Sequence, residues 1–313
     1  TILQPGKEKD LFFDEIMPNL VGKGYFYTEL DSDDYFTSQA LEIMIKPVIE
    51  HGVDYVITGR QAFSDVGWYA ADLPVTKLFP NIAELSYVWP QNYKCMRTLW
   101  GKLFRMDDYC AILQDKELNS MVNGRDTYEN LMYMQRVSSA ASVGKVTVNF
   151  CIRPDSIFHA NVYSGRYLSY LKIYQKTIEL FRQWNRMQPV NLLFAAQVLR
   201  VSMQETIAPA AGAIYSASAL ELVKNILTDQ TVYQVLDKYD LYDAFLYEIF
   251  ALMEKNFDSQ KAQTQNKPEQ YFHIWILRGL TYQTRNWHLA LCCKIRGVLM
   301  GENRYRVGMK YVK

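Results

Sequence analysis

The stretch whose reading decides the fold is Gly22-Lys23-Gly24-Tyr25-Phe26-Tyr27-Thr28-Glu29-Leu30-Asp31-Ser32-Asp33-Asp34-Tyr35. Its first part, Gly24 to Leu30, is rich in aromatic and extended-favouring residues and predicts a strand. Asp31, Asp33 and Asp34 follow at once, and Ser38 to His51 then carries Ala40, Leu41, Met44, Ile45, Val48 and Ile49 on one helical face. Three acids therefore stand between a strand's carboxyl end and a helix, where ligands bind in α/β sheets. Clustered carboxylates repel one another, and a hard cation such as Mg²⁺ or Mn²⁺, shared with phosphate oxygens, relieves the repulsion. The alternative is a helix cap, in which Ser or Asp ahead of Ser38-Gln39-Ala40-Leu41 satisfies free backbone N–H groups.

Working outward, Asp54 to Thr58 and Lys145 to Arg153 are further strand candidates, so the chain up to about residue 160 has α/β texture. Beyond Tyr163 the period changes. Helices are expected near 164–187, 190–207, 217–228, 241–257, 269–280 and 284–299, with Pro189, Pro209 and Pro268 between them and a polar loop over Asp258 to Lys267. The expectation is an α/β portion over 1–160 and a mainly helical domain over 161–313.

Three later words stand in order behind the opening stretch: Leu99-Trp100-Gly101-Lys102-Leu103-Phe104-Arg105, then Asn123-Gly124-Arg125-Asp126-Thr127-Tyr128, then Val146 to Arg153 followed by Pro154-Asp155-Ser156. Together with the acid stretch they resemble the ordered motifs of family-2 glycosyltransferases, whose catalytic domain has the Rossmann-like GT-A fold. The resemblance covers about residues 22 to 160. It implies transfer of a sugar from a nucleotide-sugar donor to a glycan or lipid-linked acceptor, with inversion. It further implies that Asp31 and Asp33 are the DxD-type acids, that Asp34 supports or shares the Mn²⁺ or Mg²⁺ ion, and that His159 supplies an imidazole to the metal. Asp126 takes the place of the catalytic carboxylate that accepts the acceptor's proton. Lys102, Arg153 and Ser156 stand as diphosphate or acceptor contacts, with Trp100 either substrate-facing or core. Arg125 departs from the family's Glu; its guanidinium is expected either to lower the Asp126 pKa or to turn toward a phosphate. The family's first two strand words have no counterpart in Thr1 to Leu20. A non-catalytic interaction module built on a truncated transferase fold is accordingly the alternative.

Composition sets the remaining bounds. The 313 residues are 49% hydrophobic, ample for a packed core, and the net charge of +1 gives no global field for nucleic acid. From Arg278 onward eight Lys and Arg accompany Glu302 alone, a local charge of +7. The basic segment 285–313, with Trp287, Leu289, Ile295 and Val298 among its cations, is a candidate for lying on an anionic membrane or meeting a lipid phosphate, the alternative being a solvated helix. Five cysteines without metal spacing, no leader-like opening and no apolar run of spanning length suggest a cytoplasmic protein, peripheral at most. P-loop, dinucleotide glycine-rich and Ser/His/Asp hydrolase patterns are absent. The 23 tyrosines and 6 tryptophans fit sugar stacking, although ordinary core packing uses such residues as well.

Overall fold

A computed structural model of the chain describes residues 22–121, 123–152, 165–212, 217–249 and 252. These residues fall into two compact units, the first within Thr1–Ser156 and Gln175–Leu192, the second within Ile157–Tyr174 and Leu193–Lys313.

The first unit is built on one mixed sheet. Its strands are β1 (Phe26–Tyr27), β2 (Tyr35–Phe36), β3 (Tyr55–Ser64), β4 (Gly67–Trp68), β5 (Lys77–Phe79), β6 (Lys102–Arg105) and β7 (Ala140–Cys151). The spatial order is β1-β6-β3-β7-β2, with β4 beside β3 and β5 beside β7. β3 lies at the centre, antiparallel to β6 and parallel to β7. Its first five residues, Tyr55 to Gly59, are all buried, as an interior strand covered on both faces requires.

Alternation along β3 sends Val56 to one face of the sheet and Tyr55 to the other. On the Val56 side, helix α1 (Ala40–His51) lays Ala40 and Met44 against Val53, Val56, Leu103 and Ala141. Full burial of Met44 contributes roughly 1.5–3 kcal/mol. On the Tyr55 side an aromatic cluster joins Tyr55 and Phe104 to Tyr133 and to Tyr109. The Tyr133 hydroxyl donates to the Asp54 carbonyl at 2.8 Å and accepts from the Arg105 N–H at 2.6 Å, so the polar tip is satisfied within the core. Tyr109 comes from α3 (Met106–Leu113) and Tyr133 from α5 (Arg125–Met134). Between them lies the short α4 (Lys116–Asn119), and α2 (Trp89–Met96) follows a 3₁₀ turn at Ile82–Val88.

The β3–β7 register shifts twice around Gly59, where β7 accommodates extra residues as a bulge. The tightest approach is at Gly59 itself. A Cβ there would meet the Asp72 carbonyl oxygen at 2.9 Å and that of Lys145 at 3.0 Å.

Several sequence expectations change in extent. The strand expected over Gly24 to Leu30 narrows to Phe26–Tyr27, paired with Phe104 and Arg105, plus one bridge from Glu29 to Trp100. The strand at Asp54 to Thr58 runs on to Ser64 because β4 and β7 extend its hydrogen bonding, and β7 begins at Ala140 rather than Lys145.

After residue 165 the described residues are helical: α6 (Leu168–Gln183), α7 (Pro189–Gly212), α8 (Ala217–Thr228), α9 (Gln230–Lys238) and a further helix over 242–249. Pro189 opens α7 rather than separating helices, a position where its missing N–H costs nothing, and Pro209 lies inside the same helix. The helix α9 falls between the helices expected at 217–228 and 241–257. Its start is marked by Asp229, whose carboxylate accepts from the N–H groups of Thr231 and Val232. Gln175–Leu192, placed by sequence in the second domain, clusters with the first unit instead. The reason is packing: Trp89 sits edge-on to Phe181 and Trp184, and the Gln183 amide donates to the Gln135 carbonyl at 2.8 Å. Among the described residues no helix is long and apolar enough to cross a membrane. The expected helices 269–280 and 284–299, the loop Asp258 to Lys267, Pro268 and the basic segment 285–313 lie outside the described residues.

Candidate active site

The acid stretch forms a tight turn in which the Asp34 N–H donates to the Asp31 carbonyl at 3.1 Å. Just beyond it, β2 pairs with β7 at Tyr35–Asn149 and Phe36–Val148, and the Cys151 N–H donates to Asp34 Oδ1 at 2.9 Å. The turn is thus anchored to the end of a long strand. It does not cap α1. The residue at that N-cap is Gln39, which makes no side-chain cap bond, while Ala40 N–H donates to the Thr37 carbonyl. The helix-cap alternative therefore fails for these acids.

Asp126 is placed by the first turn of α5, which starts at Gly124 in the left-handed conformation with φ of 65°. Neighbouring side chains fix that turn to the loop before β6. Thr127 Oγ1 donates to the Arg97 carbonyl at 3.1 Å, and the Asn130 amide donates to the carbonyls of Thr98 at 2.9 Å and Asp126 at 2.8 Å. The Asn130 oxygen in turn accepts from the Tyr55 hydroxyl at 2.8 Å.

The electrostatics join these parts. Burial pushes the Asp126 carboxyl up to about 6, and the charges of Glu29 and Asp31 push in the same direction, against Lys102 and a backbone N–H. The Asp126 carboxyl thus feels the charges of Glu29 and Asp31. Lys102 is 1% exposed. Its ammonium donates to the Cys95 carbonyl, to Thr98 Oγ1 at 3.2 Å and to the Trp100 carbonyl at 3.1 Å. Burial, with Arg60 adding to it, lowers the Lys102 pKa to about 7, although Cys95 and Asp126 act the other way.

Sequence reasoning missed a second tier of groups. The Glu29 carboxylate accepts from the Tyr27 hydroxyl at 3.1 Å and lies 3.5 Å from that of Tyr109. Tyr109 also donates to the buried Glu129, whose other oxygen is 3.5 Å from Arg125 Nε. Burial first, then Glu29 and Asp126, raise the Glu129 pKa against the Tyr109 hydrogen bond and Arg125. Glu29 stands inside the opening stretch, where the extended-favouring residues around it mark only a strand. Glu129 lies three residues after Asp126, one turn along the same helix face, which was the available signal.

The geometry bears on three of these residues. Arg125 does not depress the Asp126 pKa: it turns to Glu129, and Asp126 rises. Lys102 is committed to three chain oxygens rather than presented to a diphosphate. Trp100 is core, 7% exposed and stacked on Phe150, with the Arg60 guanidinium 5.2 Å from each ring centroid. Arg153, Ser156 and His159 lie outside the described residues. Among the described residues no group of three or more His, Cys, Asp or Glu is placed to hold a metal ion by itself. The turn's donors are all carboxylate oxygens, the chemistry that suits Mg²⁺ or Mn²⁺ when substrate phosphates and water complete the shell.

What the site defines is an acidic, partly buried centre on a mixed α/β scaffold. Solved structures of TarS 1–349 from S. aureus are similar to the chain. The complex with UDP-GlcNAc is 12% identical with a TM-score of 0.42, covering 82% of this chain and 72% of that one. The complex with UDP is 13% identical with a TM-score of 0.39, covering 97% and 71%. No family model and no curated protein matches the chain.

Proposed function

We propose that the chain is the GT-A-like catalytic portion of a glycosyltransferase that moves a sugar from a nucleotide-diphosphate sugar to a glycan or lipid-linked acceptor. The observation that carries this reading is the Asp126 carboxyl, partly buried at a helix start and raised to about 6 by burial and by the acids Glu29 and Asp31. A carboxylate with that proton affinity is ionised at neutral pH yet basic enough to take a proton from an acceptor hydroxyl. It occupies the position in the third motif word that the family resemblance gives to the base. Single displacement with inversion follows from the same resemblance.

Asp31 and Asp33, on the turn, are the residues that would hold Mn²⁺ or Mg²⁺, with Asp34 anchoring the turn to Cys151 and His159 a further candidate ligand. A divalent ion, when bound there, stabilises the charge of the departing diphosphate. Two protein carboxylates suffice for an ion that also binds phosphate oxygens. Arg125, half-exposed and leaning on Glu129, orients the second tier of acids beside the base.

The test is calorimetric titration of wild type and Asp33→Asn with uridine diphosphate, with and without Mn²⁺. Metal-dependent binding in wild type that disappears in Asp33→Asn is expected. Equal metal-dependent binding in both proteins would remove Asp33 from the site, and absence of any nucleotide binding by a panel of nucleoside diphosphates would favour the interaction-module alternative.

A further inference from the structure

Beyond the acid turn, pairing across four strands sets a row of side chains on one face of the sheet. Phe63 of β3 is registered with Trp68 of β4, Gln61 of β3 with Asn149 of β7, and Asn149 with Tyr35 of β2. Registered partners project to the same face, and Phe63 and Gln61 share a face because they are two residues apart. The rings meet: Tyr35 and Phe63 centroids are 5.3 Å apart, and those of Phe63 and Trp68 are 5.4 Å apart. Packing half-buries Phe63 and buries Asn149 but leaves the outer rings open. Trp68 is 58% exposed and Tyr35 42% exposed, and the neighbouring Tyr69 is 45% exposed.

Two observations select the occupant. The row is continuous with the acid turn, since Tyr35 directly follows Asp34, and Asp34 accepts the Cys151 N–H at the position registered with Phe63. Its composition also sets three contiguous rings beside the Gln61 carboxamide, and the row itself carries no charged side chain. A protein-binding patch buries apolar area with a polar rim. Contiguous aromatic faces edged by the Gln61 amide and the Tyr35 hydroxyl instead match a pyranose, which offers C–H surface on its faces and hydroxyls at its edge. The Gln61 amide is already aimed along the surface, donating to the Tyr69 carbonyl at 3.0 Å.

We infer that Tyr35, Phe63 and Trp68, with Gln61, form a binding platform for a neutral oligosaccharide, the acceptor side of the transfer reaction. This rests on the reading of the acid turn as a transferase centre. Rings of successive sugar units stack on Trp68 and Tyr35, and the chain end then points toward the Asp31–Asp34 turn.

The experiment uses the full chain labelled with 5-fluorotryptophan, so that its six tryptophans give separate fluorine resonances, with Trp68 assigned by Trp68→Phe. Cellotetraose, maltotetraose and chitotetraose are titrated in turn, without nucleotide or metal. At least one is expected to move the Trp68 signal saturably. Calorimetry should then show about tenfold weaker binding in Trp68→Ala, the loss of one good ring contact, and a smaller loss in Gln61→Ala. Circular dichroism and the melting midpoint show whether each variant folds; if Trp68→Ala does not, the wild-type resonance still decides. No movement of the Trp68 signal by any of the three sugars overturns the inference, as does equal binding by a folded Trp68→Ala. Concentration-dependent doubling of mass that Trp68→Ala abolishes would assign the face to self-association and overturn it too. Omitting nucleotide and metal keeps this outcome separate from that of the uridine diphosphate titration.

Discussion

The Lys102 ammonium and the Asp126 carboxylate act on each other in the first unit: Lys102 draws the Asp126 pKa down while Asp126 draws that of Lys102 up, and in both groups burial outweighs the attraction. Each is therefore held nearer neutrality than it would be in water, Asp126 at about 6 and Lys102 at about 7. Replacing Lys102 by Met removes the attraction, and the Asp126 midpoint is expected to move above 6. Carboxyl carbon NMR across pH 4 to 8 measures it. A midpoint that stays put or falls would show that the two charges are not coupled.

Lys102 also makes a claim on stability. Its ordinary pKa is 10.5 and its folded value about 7, so between those values the unfolded chain binds more protons than the folded one. Stability supplied by this group therefore rises with pH over that window. Urea unfolding from pH 7 to 9.5 should show wild type gaining on Lys102→Met as pH increases.

Asp126→Asn tests the base directly. Sugar transfer should fall by roughly 10²–10⁴-fold while uridine diphosphate binding persists. In wild type, transfer should decline as pH drops through about 6, because a protonated carboxyl accepts nothing. The same variant should be more stable than wild type at pH 7. A group whose folded pKa is raised from 3.8 to about 6 loses stability as pH rises through that window, and Asn has no proton to lose. Thermal melts at pH 4 and pH 7 provide the check.

Asp54 behaves oppositely. Burial raises its pKa, but the hydroxyl and N–H of Ser138, the Arg105 guanidinium and Ser139 outweigh it and hold the carboxyl below its ordinary 3.8. Arg105 Nη1 is 2.6 Å from Oδ1, and Ser138 Oγ is 2.8 Å from Oδ2. The stability this group provides is present above pH 3.8 and is lost as pH falls through its lower folded value. Asp54→Ala should cost about 2 kcal/mol at pH 7, because the N–H groups of Ser138 and Ser139 lose their acceptor, whereas Arg105 keeps Asp108. The difference from wild type should shrink below pH 4.

Gly59→Ala probes the bulge between β3 and β7. The added methyl would lie 2.5 Å from Leu73 Cδ2 and within 3.0 Å of two carbonyl oxygens, and backbone oxygens have little room to move. A loss of about 2 kcal/mol in denaturant midpoint analysis is expected.

The quoted stretch, met as sequence, was enough to locate the acid turn, because three carboxylates within four residues, behind extended-favouring residues, are a local pattern that needs no partner to be seen. Helical periodicity after residue 163 was legible for the same reason: an apolar stripe is written in neighbouring residues. What stayed hidden was non-local. Nothing near Gly24 to Leu30 says that only Phe26 and Tyr27 would find strand partners, because Phe104 and Arg105 decide that from nearly eighty residues away. Lys102 looked like a phosphate contact, since a lysine's burial cannot be read from its neighbours; the Cys95 and Trp100 carbonyls and Thr98 enclose it only once the β3–β6 pairing is formed. Arg125 misled in the same way. Adjacency in sequence suggested an effect on Asp126, but successive helix residues point in different directions, and the guanidinium reaches the residue one turn on, Glu129. The sequence alone determined which carboxylates were available; tertiary structure decided which of them share a field, because electrostatic coupling depends on distance through space and on burial, and both are set by long-range packing.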